Sequence, residues 1–230
     1  MKFGILPLQG IFLQRLNRFS VLVELNGKPV KAHLPNSGRL GELLVPGRRC
    51  YVLPASNPLR KTDYDLILVE TPAGNLTSTD ARLPNRLFTE AFKQAKLSAF
   101  CHYTQIEPEV PYENSRLDFR LSAGNLNCYV EVKSVTLVED GTALFPDAPT
   151  LRGTKHLNHL IHLKNKGHDT AIVFWVQRDD AKEVRPNVVS DPLFSETLRA
   201  CSLQGVRILA YMSKMTVDGT EFMGTLPVVL

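Results

Sequence analysis

The 230 residues are 43% hydrophobic and 22% charged, with 27 Lys or Arg against 23 Asp or Glu, an ordinary balance for a globular chain. That length admits one large domain or two small ones with a real core. No apolar run reaches the ~18–20 residues of a spanning helix, and MKFGILPLQG, interrupted by Pro7 and Gln9, lacks the features of a signal peptide, so a cytoplasmic location without a membrane partner is expected.

The charge is unevenly placed. Residues 1–61 hold ten Lys or Arg and only two acids, Glu24 and Glu42, whereas the rest of the chain is acidic. A basic face for a polyanion is the functional reading; a solvated basic surface is the alternative.

Residues 11–70 read mostly as strands. FSVLVEL leads through NGK, a tight-turn signal, into PVKAHL. PNSGRLGELLVPG is rich in turn formers, and RRCYVLP and DYDLILVET are further strands. Short strands with Gly and Pro punctuation predict a small barrel or sandwich. A basic small barrel suits an OB-like nucleic-acid binder. The polar, turn-rich TPAGNLTSTD places a boundary near residue 80, giving a β domain at 1–80 and a second domain at 81–230.

In the second domain, NRLFTEAFKQAKL sets Leu87, Phe88, Ala91, Phe92 and Ala95 on one helical face, with Asn85 as N-cap. A hairpin, SRLDFRLSAGNLNCYVEVKSV, follows. TLRGTKHLNHLIHLKNKG is a second helix stopped at Gly167. TAIVFWVQR is the apolar run of a central strand, with Trp175 in the core. DPLFSETLRACSLQG is a helix with Asp191 as N-cap, Pro192 first and Gly205 as stop, and VRILAYMSKM is a last strand. The order α-β-β-α-β-α-β predicts an α/β domain with a mixed sheet, making the whole chain α+β. The four cysteines are widely and irregularly spaced, as reduced core residues rather than a zinc site.

The hairpin carries charges that a plain hairpin does not need. A turn centred between Gly124 and Asn125 pairs residues whose numbers sum to 249, which sets Asp118 opposite Glu131, with Lys133 on the same face as Glu131. Opposed like charges destabilise a sheet by roughly 0.2–1 kcal/mol, so an offsetting cation is expected. Two carboxylates suit Mg²⁺, or Mn²⁺, and a lysine beside them suits phosphodiester hydrolysis.

Asp118 followed by Glu131-Val132-Lys133 resembles the PD-(D/E)xK nuclease motif, with Leu117 in place of the proline that often precedes the aspartate. FPDAP contains a literal Pro146-Asp147, but after the ExK, so Asp147 is not assigned that role. HLPNSGRL, NRL..EA, SRLDF, CYVEVKSVTL, FPDA.T.RG.KHL and GV.ILAY together resemble the sugar fermentation stimulation protein A family, nearly end to end. That resemblance implies a bacterial protein with an OB-like domain followed by a restriction-endonuclease-like domain, binding DNA without sequence preference and connected with maltose genes. It maps Asp118, Glu131 and Lys133 onto the nuclease triad, Glu90 onto an additional metal-ligating acid, and Lys155, with Arg152 beside it, onto a phosphate-facing position.

Arg15 and Arg18, placed before the first strand, and Arg39, Arg86 and Arg116 complete the expected phosphate contacts, for salt-sensitive DNA binding. Phe19, Tyr51 and Tyr64 are candidates to stack on bases. Asn36-Ser37-Gly38-Arg39 matches neither a P-loop nor a nucleophile elbow and reads as a turn presenting Arg39. His156, His159 and His162 recur every three residues, not at the i,i+4 spacing of a zinc helix; His156 is expected to face phosphate with Lys155. The expected function is a metal-dependent DNA nuclease. The alternatives are an inactive DNA-binding regulator of sugar metabolism genes on the same fold, and RNA processing.

Overall fold

A computed structural model describes residues 1–55 and 60–230. Its first six strands are β1 (Leu8–Asn17), β2 (Ser20–Leu25), β3 (Lys28–His33), β4 (Arg49–Pro54), β5 (Tyr64–Glu70) and β6 (Leu76–Ser78). They run in the order β3-β2-β1-β4-β5-β6, and β3 also pairs in parallel with β5, which closes the first five into a barrel of the OB-like kind. Asn26 and Gly27 both take positive φ, as a primed two-residue turn requires, and Leu25 faces Lys28 across it. Phe12, Val21, Val23, Leu34, Cys50 and Leu66 fill the interior. Arg15 lies within β1 and Arg18 in the turn after it, so neither precedes the first strand.

The second half is built on a six-stranded sheet, β15-β14-β12-β9-β8-β7. Its strands are β7 (Gln105–Tyr112), β8 (Ser115–Ala123), β9 (Leu126–Val135), β12 (Asp169–Val176), β14 (Arg207–Thr216) and β15 (Gly219–Leu226). β9, β12 and β14 are mutually parallel, while β7, β8 and β15 join antiparallel at the edges. A small sheet of β10 (Val138–Glu139), β11 (Thr142–Phe145) and β13 (Glu183–Pro186) stands beside it. Helix α1 (Leu83–Lys93) covers one face through Leu87, Phe88 and Ala91 against Phe119, Val130 and Trp175. Helices α2 (Leu151–Asn165) and α3 (Pro192–Leu203) cover the other through Leu157, Leu160 and Leu198 against Ile172, Phe174 and Val176. β12 is buried along almost its whole length, as its apolar run requires. Among the described residues no helix is long and apolar enough to cross a membrane.

Local signals explain most helix ends. Asp191 caps α3 by accepting from Phe194 N at 3.0 Å and also accepts from Thr150 N at 2.7 Å, tying the starts of α2 and α3 together. Thr150 caps α2 by accepting from Gly153 N at 3.0 Å. The start of α1 departs from expectation. Arg82 occupies the cap position with no side-chain bond, Pro84 sits in the first turn, and Asn85 lies inside the helix with its amide turned toward Asp118. Ala95 is not on the buried face. The helix has ended, and Ala95 is exposed with φ 54°.

The β8–β9 ladder has the expected register, with Phe119 opposite Val130 and Leu121 opposite Cys128. The ladder stops at Phe119. There the Asp118 side chain takes the Val132 N–H at 2.8 Å, and Leu117 packs with the α2 side rather than with Phe119 and Leu121. β8 therefore peels away from β9 at the aspartate, and this leaves the carboxylate a place of its own.

Candidate active-site cleft

β8 and β9 deliver Asp118, Glu131 and Lys133 to one cleft of about 450 Å³. The Asp118 carboxylate accepts from Val132 N and from Asn85 Nδ2, each at 2.8 Å. Glu131 is buried at 2% exposure, and its Oε1 accepts from Lys133 Nζ at 2.5 Å and from His156 Nδ1. Two polar atoms in this cluster are buried without a partner, Glu131 Oε2 and His156 Nε2. A lone pair on a buried carboxylate is expensive to leave unmet.

The two carboxylates are driven apart electrostatically. Burial, and then the neighbouring Glu131 charge, push Asp118 up to about 6 against the pull of Lys133 and its two hydrogen bonds. Burial also pushes Glu131 upward, but Lys133 and then His156 reverse this and bring it to about 2. The cluster thus holds a firmly ionised glutamate beside an aspartate whose charge is disfavoured by burial.

The opposite wall of the cleft comes from the barrel. Arg18, Asn36, Ser37, Gly38 and Leu40 face the α/β residues across it. Arg15 holds this loop. Its guanidinium donates to the carbonyls of Gly38 at 2.8 Å, Arg39 at 2.7 Å and Arg18 at 2.8 Å, so it is spent on the fold rather than offered to phosphate. Leu40 N donates to Asp147 Oδ2 at 3.2 Å, joining the loop to the α/β unit. A Cβ on Gly38 would meet that same oxygen at 2.8 Å, so a larger residue here would displace the Asp147 side chain. Asp147 is therefore part of the cleft wall, although it is not paired with Glu131. Its one sequence signal is the Pro-Asp of FPDAP.

The other expected residues are distributed around this cleft. Arg18 and Arg152 line it. Arg152 also lines an adjoining groove of about 770 Å³ with Arg116, Lys155 and His156. Arg116 is exposed and lies 4.0 Å from Glu109. Arg39 is exposed on the barrel loop. Glu90 and Arg86 border a separate groove along α1, which meets the cleft only at Asn85 and Asp118. Glu90 accepts from Gln94 Nε2 at 3.2 Å and does not join Glu131. Of the aromatics, Tyr51 is buried and Tyr64 packs against the barrel core, which leaves Phe19 exposed at 47%.

His156 is buried rather than exposed beside Lys155, although both border the adjoining groove. It lies on the buried face of α2, four residues before Leu160 and seven before Leu163, and this spacing was its sequence signal. His159 bonds Ser115 Oγ at 3.0 Å, and His162 bonds Tyr112 OH at 3.0 Å, so these two secure the β7–β8 hairpin. Among the described residues, no group of three or more His, Cys, Asp or Glu side chains is gathered as a metal cage.

The comparisons with known proteins cover both halves of the chain. Residues 13–78 match the family model described as SfsA N-terminal OB domain, and residues 82–219 match the sugar fermentation stimulation protein RE domain. A sugar fermentation stimulation protein homolog of Moorella thermoacetica is 48% identical over 206 residues, covering 89% of this chain and 88% of that one. The homolog of Carboxydothermus hydrogenoformans is 40% identical over 231 residues and the whole of both chains. The solved structure of Pyrococcus furiosus SfsA in complex with Ca²⁺ superposes with a TM-score of 0.93 at 31% identity, covering 100% of this chain and 98% of that one. The chain belongs to the sugar fermentation stimulation protein family.

Proposed function

We propose that this protein is a divalent-metal-dependent nuclease, with a PD-(D/E)xK-like α/β unit that hydrolyses phosphodiester bonds and a basic barrel that grips DNA without sequence preference in the cytoplasm. The observation that carries the reading is the cluster itself. Asp118 and Glu131 come from adjacent strands, Lys133 lines the same cleft and bonds Glu131, and among the described residues Glu131 keeps one buried oxygen with no partner. That oxygen and the reluctantly charged Asp118 fit a hard cation, Mg²⁺ or Mn²⁺, which the two carboxylates would hold. The Ca²⁺ named for the Pyrococcus furiosus relative is an oxygen-seeking cation of the same class. When bound, the metal supplies a water of lowered pKa and withdraws charge from the phosphate.

This chain's own residues supply the remainder. Lys133, held at 2.5 Å from Glu131, presents an ammonium to the charge that develops on the phosphate oxygens. Asn85 and the Val132 amide fix the Asp118 rotamer. His156 fixes Glu131 from the α2 side. Arg18 and Arg152 lie where flanking phosphates would pass, and Lys155 and Arg116 extend that path into the adjoining groove. The test is cleavage of DNA with Mg²⁺ or Mn²⁺ by wild type beside Asp118→Ala and Lys133→Ala. Cleavage by wild type alone is expected; equal cleavage by all three sinks the assignment.

A second reading has its own observation. Both Asp118 oxygens are already hydrogen-bonded, and Lys133 is locked onto Glu131. A non-catalytic DNA-binding regulator on this fold would look the same. It predicts DNA binding that survives Asp118→Ala with no metal-dependent cleavage in wild type.

A further inference from the structure

We infer that the polynucleotide this cleft takes is single-stranded, with a base stacked on Phe19 and the chain led past Arg18 beneath the 36–40 loop to Glu131 and Lys133. The inference rests on the nuclease reading for its destination, but its substrate class comes from different residues.

The first observation is the shape of the cleft. Its volume of about 450 Å³ falls within the ~300–1,000 Å³ of pockets that enclose small ligands. A nucleotide or a short piece of strand fits such a space; a double helix does not. The barrel wall of the cleft is a held loop. The barrel loop is tied down by Arg15 through the carbonyls of Gly38, Arg39 and Arg18, and its far end donates to Asp147 of the α/β unit. Duplex DNA presents its phosphates on a broad outer surface. Glu131, at 2% exposure, lies below the surface that a duplex would meet.

The second observation is the surface at the entrance. Phe19 is a large aromatic left 47% exposed on a barrel whose other candidate platforms, Tyr51 and Tyr64, are packed inward. It is held rather than loose. Its amide donates to Asn17 Oδ1 at 2.9 Å, its carbonyl accepts from Leu34 N at 2.9 Å, and the His33 ring lies 6.5 Å from its own. The guanidinium of Arg18, a cleft-lining residue, sits 5.4 Å from the ring centre. The guanidinium lies over one face of the ring, which leaves the opposite face for a base; an aromatic beside a cation is the pairing that binds unpaired bases and their phosphates, and it is sequence-tolerant because every base has a π-face. In a duplex the base faces are already stacked and such a platform has nothing to meet.

The test is binding without cleavage, by fluorescence anisotropy in EDTA. The probes are a short fluorescein-labelled DNA strand, the same strand annealed to its complement, and an RNA strand of the same sequence. Wild type is expected to bind the single strand more tightly than the duplex, and Phe19→Ala to weaken single-strand binding roughly 5- to 150-fold, the range for loss of one stacked base, while leaving the duplex value nearly unchanged. Duplex binding equal to or tighter than single-strand binding, or no effect of Phe19→Ala, overturns the inference even if metal-dependent cleavage is found. Loss of cleavage with single-strand preference intact overturns the nuclease reading alone. The DNA and RNA arms decide which sugar is preferred. A strand carrying 5-iodouracil gives an independent readout: photocrosslinks to the peptide containing Phe19 are expected, and crosslinks confined to the α1 groove would overturn the placement.

Discussion

Replacing Asp118 by asparagine is predicted to make the protein more stable at neutral pH while removing its affinity for a divalent cation. The hydrogen bonds survive the exchange. The new carbonyl still accepts from Val132 N, and the new amide donates to Asn85 once that side chain turns over its oxygen. What is lost is a negative charge buried beside Glu131. The Asp118 carboxyl is displaced from 3.8 to about 6, and at ~1.4 kcal/mol for each pH unit its charging costs the native state up to ~3 kcal/mol. The native carboxyl holds its proton more tightly than the unfolded one, so the penalty from Asp118 is relieved as pH falls through 6 toward 4. The gap to Asp118→Asn is therefore full above pH ~7 and vanishes below pH ~4. Urea unfolding of both proteins across that range measures it. A variant that is less stable than wild type by the same margin at neutral and acid pH would refute the reasoning, because the charge on Asp118 would then contribute nothing to the difference. Added Ca²⁺ should raise the melting temperature of wild type and leave the variant unmoved.

Arg15→Ala should cost ~2–3 kcal/mol, because a charged donor serving several carbonyls is lost, and should speed hydrogen exchange at residues 36–40 without changing the salt dependence of DNA binding. Arg152→Ala should do the reverse: stability unchanged within ~0.5 kcal/mol, and the slope of log affinity against log salt reduced by about 1. Among the cysteines, Cys101 is exposed, while Cys50, Cys128 and Cys201 are buried. Burial pushes the Cys50 and Cys201 thiols up to about 12 and Cys128 to about 11. An aromatic disulfide reagent should therefore titrate one thiol in the native protein and all four in denaturant; rapid reaction of a second native thiol would contradict the packing.

The parts that could be read in advance are those where one physical signal dominates. Alternating apolar residues set the β8–β9 register, so Asp118 and Glu131 could be brought together from pattern alone. Asp191-Pro192 and Gly205 marked both ends of α3. Elsewhere two signals competed. β7 reads QIEPEVPY, whose alternating Ile106, Val110 and Tyr112 are obscured by two prolines and two acids, which an edge strand tolerates because it pairs on one side alone. Asn85 looked like a cap because caps and carboxylate partners use the same side chain. Arg15 looked like a phosphate contact because a free guanidinium and one bound to carbonyls have the same letter. Leu117 changed cores because β8 leaves β9 at Asp118, a break that no periodicity announces. The barrel's share of the cleft was hidden for a different reason. It depends on a contact between residues about a hundred positions apart, Leu40 and Asp147, that neither segment specifies alone.

The glycine at 38 turns this contact into a gauge. With no side chain between its backbone and the Asp147 carboxylate, the two halves of the molecule meet at a fixed stand-off rather than across a compressible layer of methyl groups. The jaw of the cleft is accordingly a spacer and not a hinge, and one added carbon would act as a shim. Gly38→Ala would press directly on the Asp147 carboxylate, beside the carbonyl that Arg15 holds. The approach of the barrel loop to the α/β unit can thus be altered at Gly38 while Asp118, Glu131 and Lys133 keep their own contacts.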